Sequence, residues 1–461
     1  MTTYATSTIC ALATAPGIGA IAIIRLSGEE AINICNQVFK GKDLTAVESH
    51  TVHFGTIKDG DKILDEVLVS VFKGKKSFTG ENSVEISTHG SPYIQQQVIQ
   101  LLIQHGAQSA GPGEFTLRAF LNGKLDLSQA EAVADVIAAN SETSHELAMK
   151  QMRGGFSNEI QKLREELIHF ASLIELELDF GEEDVEFADR KDLKELVTRL
   201  NSALTKLISS FDYGNVIKSG VPVAIIGEPN VGKSTLLNAL LNEDRAIVSA
   251  IAGTTRDVIE DEMIIKGISF RFIDTAGIRE TADEIESLGI EKTFEKLAQA
   301  SIVLLLVDAS TITREALEAD IEKIEAKIED KNKRLIVVAN KVDNTRDQEG
   351  ILRTFKGIKN VIYTSAKKKE NIKALEERLF DFVQSGALNN DVVVTNARHF
   401  EALTRANASL IKVLEGLDVN ITGDFLAMDI RQALHFLGEI TGEITTDDLL
   451  DNIFSKFCIG K

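Results

Sequence analysis

Few cysteines, the lack of a long apolar run and the absence of a targeting segment limit what this chain of 461 residues can be. Its three cysteines, Cys10, Cys35 and Cys458, are odd in number and widely spaced, so neither a disulfide framework nor a zinc site is predicted. The longest strongly apolar run, residues 302–307, is far too short to span a bilayer, and the N-terminus lacks the basic and apolar regions of a signal peptide. We therefore expect a cytoplasmic protein with no membrane partner.

Basic residues are also in short supply. Asp and Glu total 70 against 50 Lys and Arg, which gives a formal net charge of −20. This charge argues against general affinity for nucleic acid, so any RNA contact must be local or supplied by a partner. A dense acidic stretch, residues 182–189, is typical of a solvated loop.

The N-terminal part of the chain, residues 1–122, mixes strand and helix patterns. Residues 21–26 and 67–72 are strand-like, and a helix is predicted to open at Ser91-Pro92 and to close at Gly106. This is an α+β pattern. The G-x-G-x-x-A string at residues 17–22 is not interpreted as a dinucleotide site, because a strand-like segment rather than a helix follows it.

The rest of the chain predicts two further domains. Residues 123–217 and 383–461 show helical spacing, and Ser128 with Glu131 has the spacing of a capping box at a helix start. Residues 218–382 alternate short apolar strands with helices, as an α/β domain does. Because neither helical half looks sufficient alone, we predict one all-α domain with the α/β domain inserted in it, in a chain of roughly three domains.

A phosphate-binding loop opens the α/β domain. GEPNVGKS, Gly227 to Ser234, follows a predicted strand and precedes an apolar-periodic helix, which is the context that the G-x-x-x-x-G-K-[ST] pattern requires. Lys233 offers a positive charge to the β- and γ-phosphates, and the Ser234 hydroxyl is suited to bind Mg²⁺. The residues of this loop predicted to contact the nucleotide are Asn230, Val231, Gly232, Lys233, Ser234 and Thr235.

Three further motifs, residues 274–277, 340–343 and 364–366, complete a GTPase pattern in the expected order. Asp274 suits an indirect contact with Mg²⁺ and the Gly277 N–H suits the γ-phosphate, while Thr255 is the natural second hydroxyl ligand of Mg²⁺. The Asp343 carboxylate has two acceptors for the ring N–H and 2-amino group of guanine, which adenine lacks. The remaining predicted nucleotide contacts are Thr275, Ala276, Asn340, Lys341, Ser365 and Ala366. The motifs predict hydrolysis of GTP to GDP.

One position breaks the usual pattern. In Ras-like GTPases the residue after the glycine of the motif at residues 274–277 is usually a glutamine that orients the attacking water. Here it is Ile278, which has no polar side-chain atom. Some other group must therefore position the water and neutralise charge on the transferring phosphoryl group.

Several segments outside the common GTPase motifs are distinctive. They are SFTGENSVEI, FLNGKLDLSQAEA, GTTRDV and the C-terminal EITTDDLLDNIFSKFCIGK, a tail that ordinary GTPases lack. With these segments and the GTPase motifs, the chain resembles over its whole length the MnmE family of tRNA modification GTPases, also called TrmE.

The resemblance implies that K⁺ and dimerisation of the GTPase domains replace the missing glutamine and an arginine finger. The K⁺ ligands would be the Asn230 side chain and carbonyl oxygens of Ser249, Ile251 and Thr254. The loop also implied to contact the nucleotide comprises Ser249, Ala250, Ile251, Ala252, Gly253, Thr254 and Thr255. The residues given catalytic roles are Glu286, Lys233, Thr255 and Asn230.

Glu286 and Arg256 also have plainer alternative interpretations. Glu286 matches the family's catalytic glutamate and would orient the water, although by itself it is one acid at an acidic helix start. Arg256 is interpreted as a switch residue rather than a catalytic finger. It could equally form an ion pair with Asp257 or Glu260.

The resemblance further implies a tetrahydrofolate site in an N-terminal domain that also dimerises. Its contacts would be Arg25, Glu85, Lys124 and Lys461, with formyl- or methylene-tetrahydrofolate as the one-carbon donor; each residue alone reads as a surface charge. Lys461 reaches this site only if the tail folds onto an N-terminal domain of its own or the other subunit. Cys458 either acts near the folate or is a buried, inert thiol.

The implied function is modification of the wobble uridine of certain tRNAs. A homodimer would work with the flavoprotein MnmG, in a heterotetramer or larger assembly, to install an aminomethyl or carboxymethylaminomethyl group. One alternative is an Era- or Der-like ribosome-assembly GTPase, which should carry a basic RNA-binding module. Another is a protein–protein switch whose sole chemistry is GTP hydrolysis.

Overall fold

A computed structural model describes residues 7–179, 190–241, 261–273, 300–326, 334–344, 347–386, 392–419 and 421–460. The chain divides into two compact units. The first, here called the terminal unit, comprises residues 1–138, 148–202 and 402–461, and the second, the central unit, comprises residues 139–147 and 203–401. None of the helices in the described ranges is long and apolar enough to cross a bilayer.

A seven-stranded sheet in the order β3-β4-β5-β6-β2-β1-β7 is the framework of the terminal unit. Neighbouring strands are antiparallel except for the β1–β7 pair. The strands are β1 Ile9–Leu12, β2 Gly19–Ser27, β3 Phe39–Lys40, β4 Thr51–Asp59, β5 Lys62–Phe72, β6 Ser83–Gly90 and β7 Gln108–Ser109. The helices α1 Ala31–Val38, α2 Pro92–Gln104 and α3 Glu114–Leu121 accompany the sheet.

The local predictions for this α+β part are confirmed. Alternate residues of β5, Val67, Val69 and Val71, are buried in the core, as the period of two in a strand requires. Helix α2 begins after Ser91 and ends before Gly106. Strand β2, rather than a helix, follows the glycines at residues 17–19, so the dinucleotide pattern is indeed fortuitous.

Helices follow α3 in both units, and those from both ends of the chain complete the terminal unit. In chain order the helices after α3 are α4 Leu127–Ala138, α5 Glu142–Met152, α6 Gly155–Asp179, α7 Arg190–Ser209, α8 Phe211–Ser219 and α9 Lys233–Leu241. They continue with α10 Arg314–Glu325, α11 Gln348–Thr354, α12 Ile372–Gly386, α13 Ala397–Asp418, α14 Gly423–Thr441 and α15 Asp447–Phe454. Helix α15 packs through Leu450 and Phe454 against Leu117 of α3 and Leu127 of α4. The last helix is thereby joined to the N-terminal part of the same unit.

The capping box of α4 is not the one predicted. The side chain of Asp126 accepts a hydrogen bond from the Gln129 N–H at 2.9 Å, and the Gln129 side chain accepts one from the Asp126 N–H at 3.0 Å. Ser128 instead donates to Asp126 and lies 2.7 Å from the Ser157 hydroxyl. The prediction of Ser128 and Glu131 was therefore wrong by two residues, because the true box overlaps it.

The central unit, residues 139–147 and 203–401, contains an α/β fold of the kind predicted for residues 218–382. Its six-stranded sheet runs β13-β12-β11-β8-β10-β9, and all neighbours are parallel except β9 and β10. The strands are β8 Val221–Ile226, β9 Asp261–Ile265, β10 Ile268–Phe272, β11 Ile302–Asp308, β12 Arg334–Asn340 and β13 Val361–Tyr363. The parallel strands β8, β11 and β12 end at one edge of the sheet, where ligands of such sheets bind.

Candidate functional site

The phosphate-binding loop lies between β8 and α9, as the sequence predicts. Gly232 has φ 104°, and a Cβ added there would lie 2.5 Å from the Asn340 side-chain nitrogen, so glycine is required at this close approach. Lys233 Nζ donates to the carbonyl oxygens of Gly227 at 2.6 Å and Glu228 at 3.0 Å. Ser234 and Thr235 lie in the first turn of α9, where the helix dipole favours anions.

Asn340, at the end of β12, joins three loops. Its side-chain N–H donates to the Val231 carbonyl oxygen at 2.9 Å, and its side-chain oxygen accepts from the Ala366 N–H at 3.0 Å. The same oxygen accepts from the Thr364 hydroxyl at 3.3 Å. Asn340 is 2% exposed, so these bonds fix the loops relative to one another.

Asp343 and Asp308 are both held as carboxylates. The Ser365 hydroxyl donates to Asp343 at 2.7 Å, and this bond lowers the pKa of Asp343. Partial burial raises the pKa of Asp308, but hydrogen bonds from Lys341 and Ser310 outweigh burial and the net shift is downward. The Lys341–Asp308 ion pair, at 2.8 Å, links the ends of β12 and β11. Both acids are therefore ionised at neutral pH.

Several predicted positions lie outside the described residues. They are Ser249, Ala250, Ile251, Ala252, Gly253, Thr254, Thr255, Arg256, Asp274, Thr275, Ala276, Gly277, Glu286 and Lys461. Their roles stay predictions. Among the described residues, the structure brings together the predicted nucleotide contacts in residues 227–235, 340–343 and 364–366.

In the terminal unit, two of the predicted folate contacts form a pair. Arg25 on β2 lies opposite Glu85 on β6, and two of its guanidinium nitrogens approach one Glu85 oxygen at 2.8 and 2.9 Å. Lys124 is exposed and donates to the Lys75 carbonyl oxygen at 2.9 Å. The adjacent strands thus supply a charged pair on one face of the sheet.

The C-terminal tail lies against this N-terminal sheet within the same chain. The Gly113 N–H donates to the Cys458 carbonyl oxygen at 3.3 Å, Ile459 forms a β-bridge with Pro112, and Arg25 donates to the Gly460 carbonyl oxygen at 3.4 Å. Cys458 itself is exposed, so the alternative of a buried thiol is wrong.

Substitution of Gly460 by alanine is expected to displace the tail. Gly460 has φ 96°, and an added Cβ would lie 2.1 Å from the Leu12 carbonyl oxygen. We expect the affinity for 5-formyl-tetrahydrofolate to fall by about tenfold, since a residue of the proposed site is carried by the tail. Equilibrium dialysis of the full chain measures this.

Gly60→Ala is the matched control for the tail variant. Gly60 also has a positive φ, 57°, but nothing lies within 4 Å of an added Cβ, so only the backbone cost is shared. Unchanged folate affinity in the Gly460→Ala variant would show that the tail is not part of the site.

Sequence reasoning missed a buried ion network beside the Arg25–Glu85 pair. Arg118 on α3 is 2% exposed and pairs with Glu114 at 2.8 Å and Glu81 at 3.3 Å. It also donates to the Ser7 carbonyl oxygen at 2.7 Å. A signal was present, because Glu114 and Arg118 are spaced i, i+4 in a helix whose other residues, apart from Thr116, are apolar.

Matches to known protein families extend over nearly the whole chain. The family model of the MnmE helical domain matches residues 127–458, and that of the GTP-binding protein TrmE N-terminus matches residues 8–124. A relative from Christiangramia forsetii is 59% identical over 98% of this chain and 99% of its own length. Relatives from Flavobacterium psychrophilum and Flavobacterium johnsoniae are each 58% identical with the same two coverages. All three are named tRNA modification GTPase MnmE. The chain therefore belongs to the MnmE, or TrmE, family of tRNA modification GTPases.

Proposed function

We propose that the chain is a GTP hydrolase that acts in the modification of tRNA wobble uridine. It would work as a homodimer with the flavoprotein MnmG, in a heterotetramer or larger assembly, to install an aminomethyl or carboxymethylaminomethyl group. The observation that carries the proposal is the junction at Asn340, which fixes the phosphate-binding loop beside the loops that present Asp343 and Ser365.

The central unit would bind both the guanine base and the phosphates of the nucleotide. Asp343, ionised and oriented by Ser365, accepts the two donors of guanine and selects GTP over ATP. Lys233 and the N-terminus of α9 bind the phosphates. The backbone around Gly232 has no room for a side chain, which fits a cradle for Mg²⁺-nucleotide with Ser234 as a hydroxyl ligand. Mg²⁺ held there would supply positive charge that offsets the charge of the phosphates.

Water positioning and charge neutralisation would come from other groups. We propose that the amide oxygen of Asn230 and carbonyl oxygens of residues 249–254 hold K⁺ at the dimer interface, and that Glu286 orients the water. Oxygen donors of this kind suit a hard monovalent cation. The ion would supply the positive charge of an arginine finger.

The terminal unit would bind the one-carbon donor, formyl- or methylene-tetrahydrofolate. Glu85 has acceptors for the 2-amino group and ring N–H of a pterin, and the ion pair with Arg25 fixes the orientation of that carboxylate. The tail contact at Gly460 supports a place for Lys461 in the site of its own chain, with the exposed thiol of Cys458 nearby in sequence.

The ribosome-assembly alternative is not favoured. The matched family models extend through residues 8–124 and 127–458, well beyond a GTPase domain alone. A protein–protein switch that only hydrolyses GTP gives no reason for the Arg25–Glu85 pair to meet the C-terminal tail.

Replacement of NaCl by KCl at equal ionic strength is expected to raise the rate of GTP hydrolysis by about tenfold or more, because a bound cation stabilises charge in the transition state. The stimulation should grow with protein concentration, since the ion site is proposed to form at a dimer interface. Steady-state phosphate release over a range of protein concentrations measures both effects.

RbCl is the control for a general salt effect. Rb⁺ is close to K⁺ in size and should activate, whereas NaCl and LiCl at the same ionic strength should not. Equal rates in all four salts, independent of protein concentration, would remove K⁺ and dimerisation from the proposal and leave the GTPase assignment itself intact.

A further inference from the structure

A half-exposed phenylalanine lies beside the Arg25–Glu85 pair on a tightly held loop. The Phe78 loop, residues 77–82, is the last part of the connection between β5 and β6. Its neighbours Ser77 and Thr79 are 4% and 1% exposed, whereas Phe78 is 41% exposed. A rigid loop that presents one large apolar ring to solvent is unlike a disordered surface turn, and the position of the ring is therefore informative.

Side chains from β2, from α3 and from the residue after α3 hold the Phe78 loop in place. The Ser27 hydroxyl lies 2.6 Å from the Thr79 hydroxyl and donates to Glu81 at 2.7 Å. The Asn122 side chain donates to the Thr79 carbonyl oxygen at 2.7 Å. Glu81 is in turn the partner of the buried Arg118. These bonds leave the loop little freedom to withdraw its ring.

Arg25 connects the ring to the proposed folate site. Its guanidinium carbon lies 6.0 Å from the centroid of Phe78 and 5.7 Å from that of Phe115, so both rings flank the cation. Phe115 is fully buried and so is closed to a ligand. Phe78 keeps exposed ring surface next to Arg25, the cation that pairs with Glu85.

We infer that Phe78 is a specificity-determining residue that stacks against the planar pterin of the folate. This inference rests on the proposed folate site and adds a residue to it. A planar heteroaromatic ligand needs an apolar surface for its face and directed polar groups for its edge. Phe78 provides the first, and Glu85, held by Arg25, provides the second. The alternative is that Phe78 only packs against Arg25.

The test measures binding of 5-formyl-tetrahydrofolate to the full chain by equilibrium dialysis. Phe78→Leu keeps apolar volume but removes the flat ring, and is expected to weaken binding by about tenfold. Phe78→Tyr keeps the ring, and its affinity should stay within about threefold of the wild-type value. GTP hydrolysis, which depends on the central unit, should be unchanged in both variants.

Phe425→Leu is the matched control. Phe425 on α14 is 55% exposed and belongs to the same unit, so the substitution repeats the chemical change without touching the pair. Wild-type affinity in Phe78→Leu would overturn the inference and leave the folate site in place. Failure of the wild-type chain to bind 5-formyl-tetrahydrofolate would overturn the folate assignment, and this inference with it.

Discussion

Asp343→Asn is expected to change the nucleotide preference from GTP to XTP by a factor on the order of 10³. The carboxylate offers two acceptors to guanine, whereas an amide offers one acceptor and one donor. Guanine would then face an amide donor with its own 2-amino group, and xanthine would match it with its 2-oxo group. The change is measured as the ratio of kcat/KM values for XTP and GTP.

XTP hydrolysis by the Asp343→Asn variant serves as the control for folding, because it requires an intact central unit. The bond from Ser365 can also persist, since an amide oxygen accepts as a carboxylate oxygen does. Asp347→Asn is the matched substitution four residues away. Asp347 caps α11 by accepting from the Gly350 N–H, a role that asparagine performs equally well, so GTP preference should be retained. An Asp343→Asn chain that still prefers GTP would show that another group reads the base.

The nucleotide-binding loops could be predicted from sequence because their chemistry is local. A phosphate-binding loop needs a strand, a glycine-rich turn and a helix in immediate succession, and residues 223–241 supply all three. What the motif spacing did not reveal is the Lys341–Asp308 ion pair, since Asp308 carries no motif and the contact depends on adjacent parallel strands.

The tail contact could not be derived in this way. Arg25 and Gly460 are 435 positions apart, and their meeting depends on the packing of α15 against α3 and α4. From the sequence alone, a place for the tail at the expected folate site could be stated only as a condition, that the tail folds back onto an N-terminal domain.

The misplaced capping box of α4 has a similar origin. Asp126–Gln129 and Ser128–Glu131 share the same spacing, and the structure selects the start that places Leu127 and Ala130 in the core.

Arg118→Met is expected to destabilise the terminal unit by about 3–5 kcal/mol. Arg118 is the cation of a network with two carboxylates, Glu114 and Glu81, of which Glu114 is largely enclosed. Methionine fills much of the volume but leaves both acids without the partner that offsets their loss of water. The effect is measured as the free energy of opening of β2 and β6 from amide hydrogen exchange, which separates this unit from the central one.

Two comparisons test whether buried charge, rather than lost volume, causes the effect. Arg199→Met makes the same substitution at an arginine that is 67% exposed and paired with Glu166, and should cost no more than about 1 kcal/mol. The triple variant Arg118→Met, Glu114→Gln, Glu81→Gln should recover part of the loss, because amides are far less costly to bury than carboxylates. If the triple variant is less stable than Arg118→Met alone, the network stabilises through its geometry and hydrogen bonds rather than by cancelling charge. The Phe78 loop would then depend on each bond to Glu81 individually.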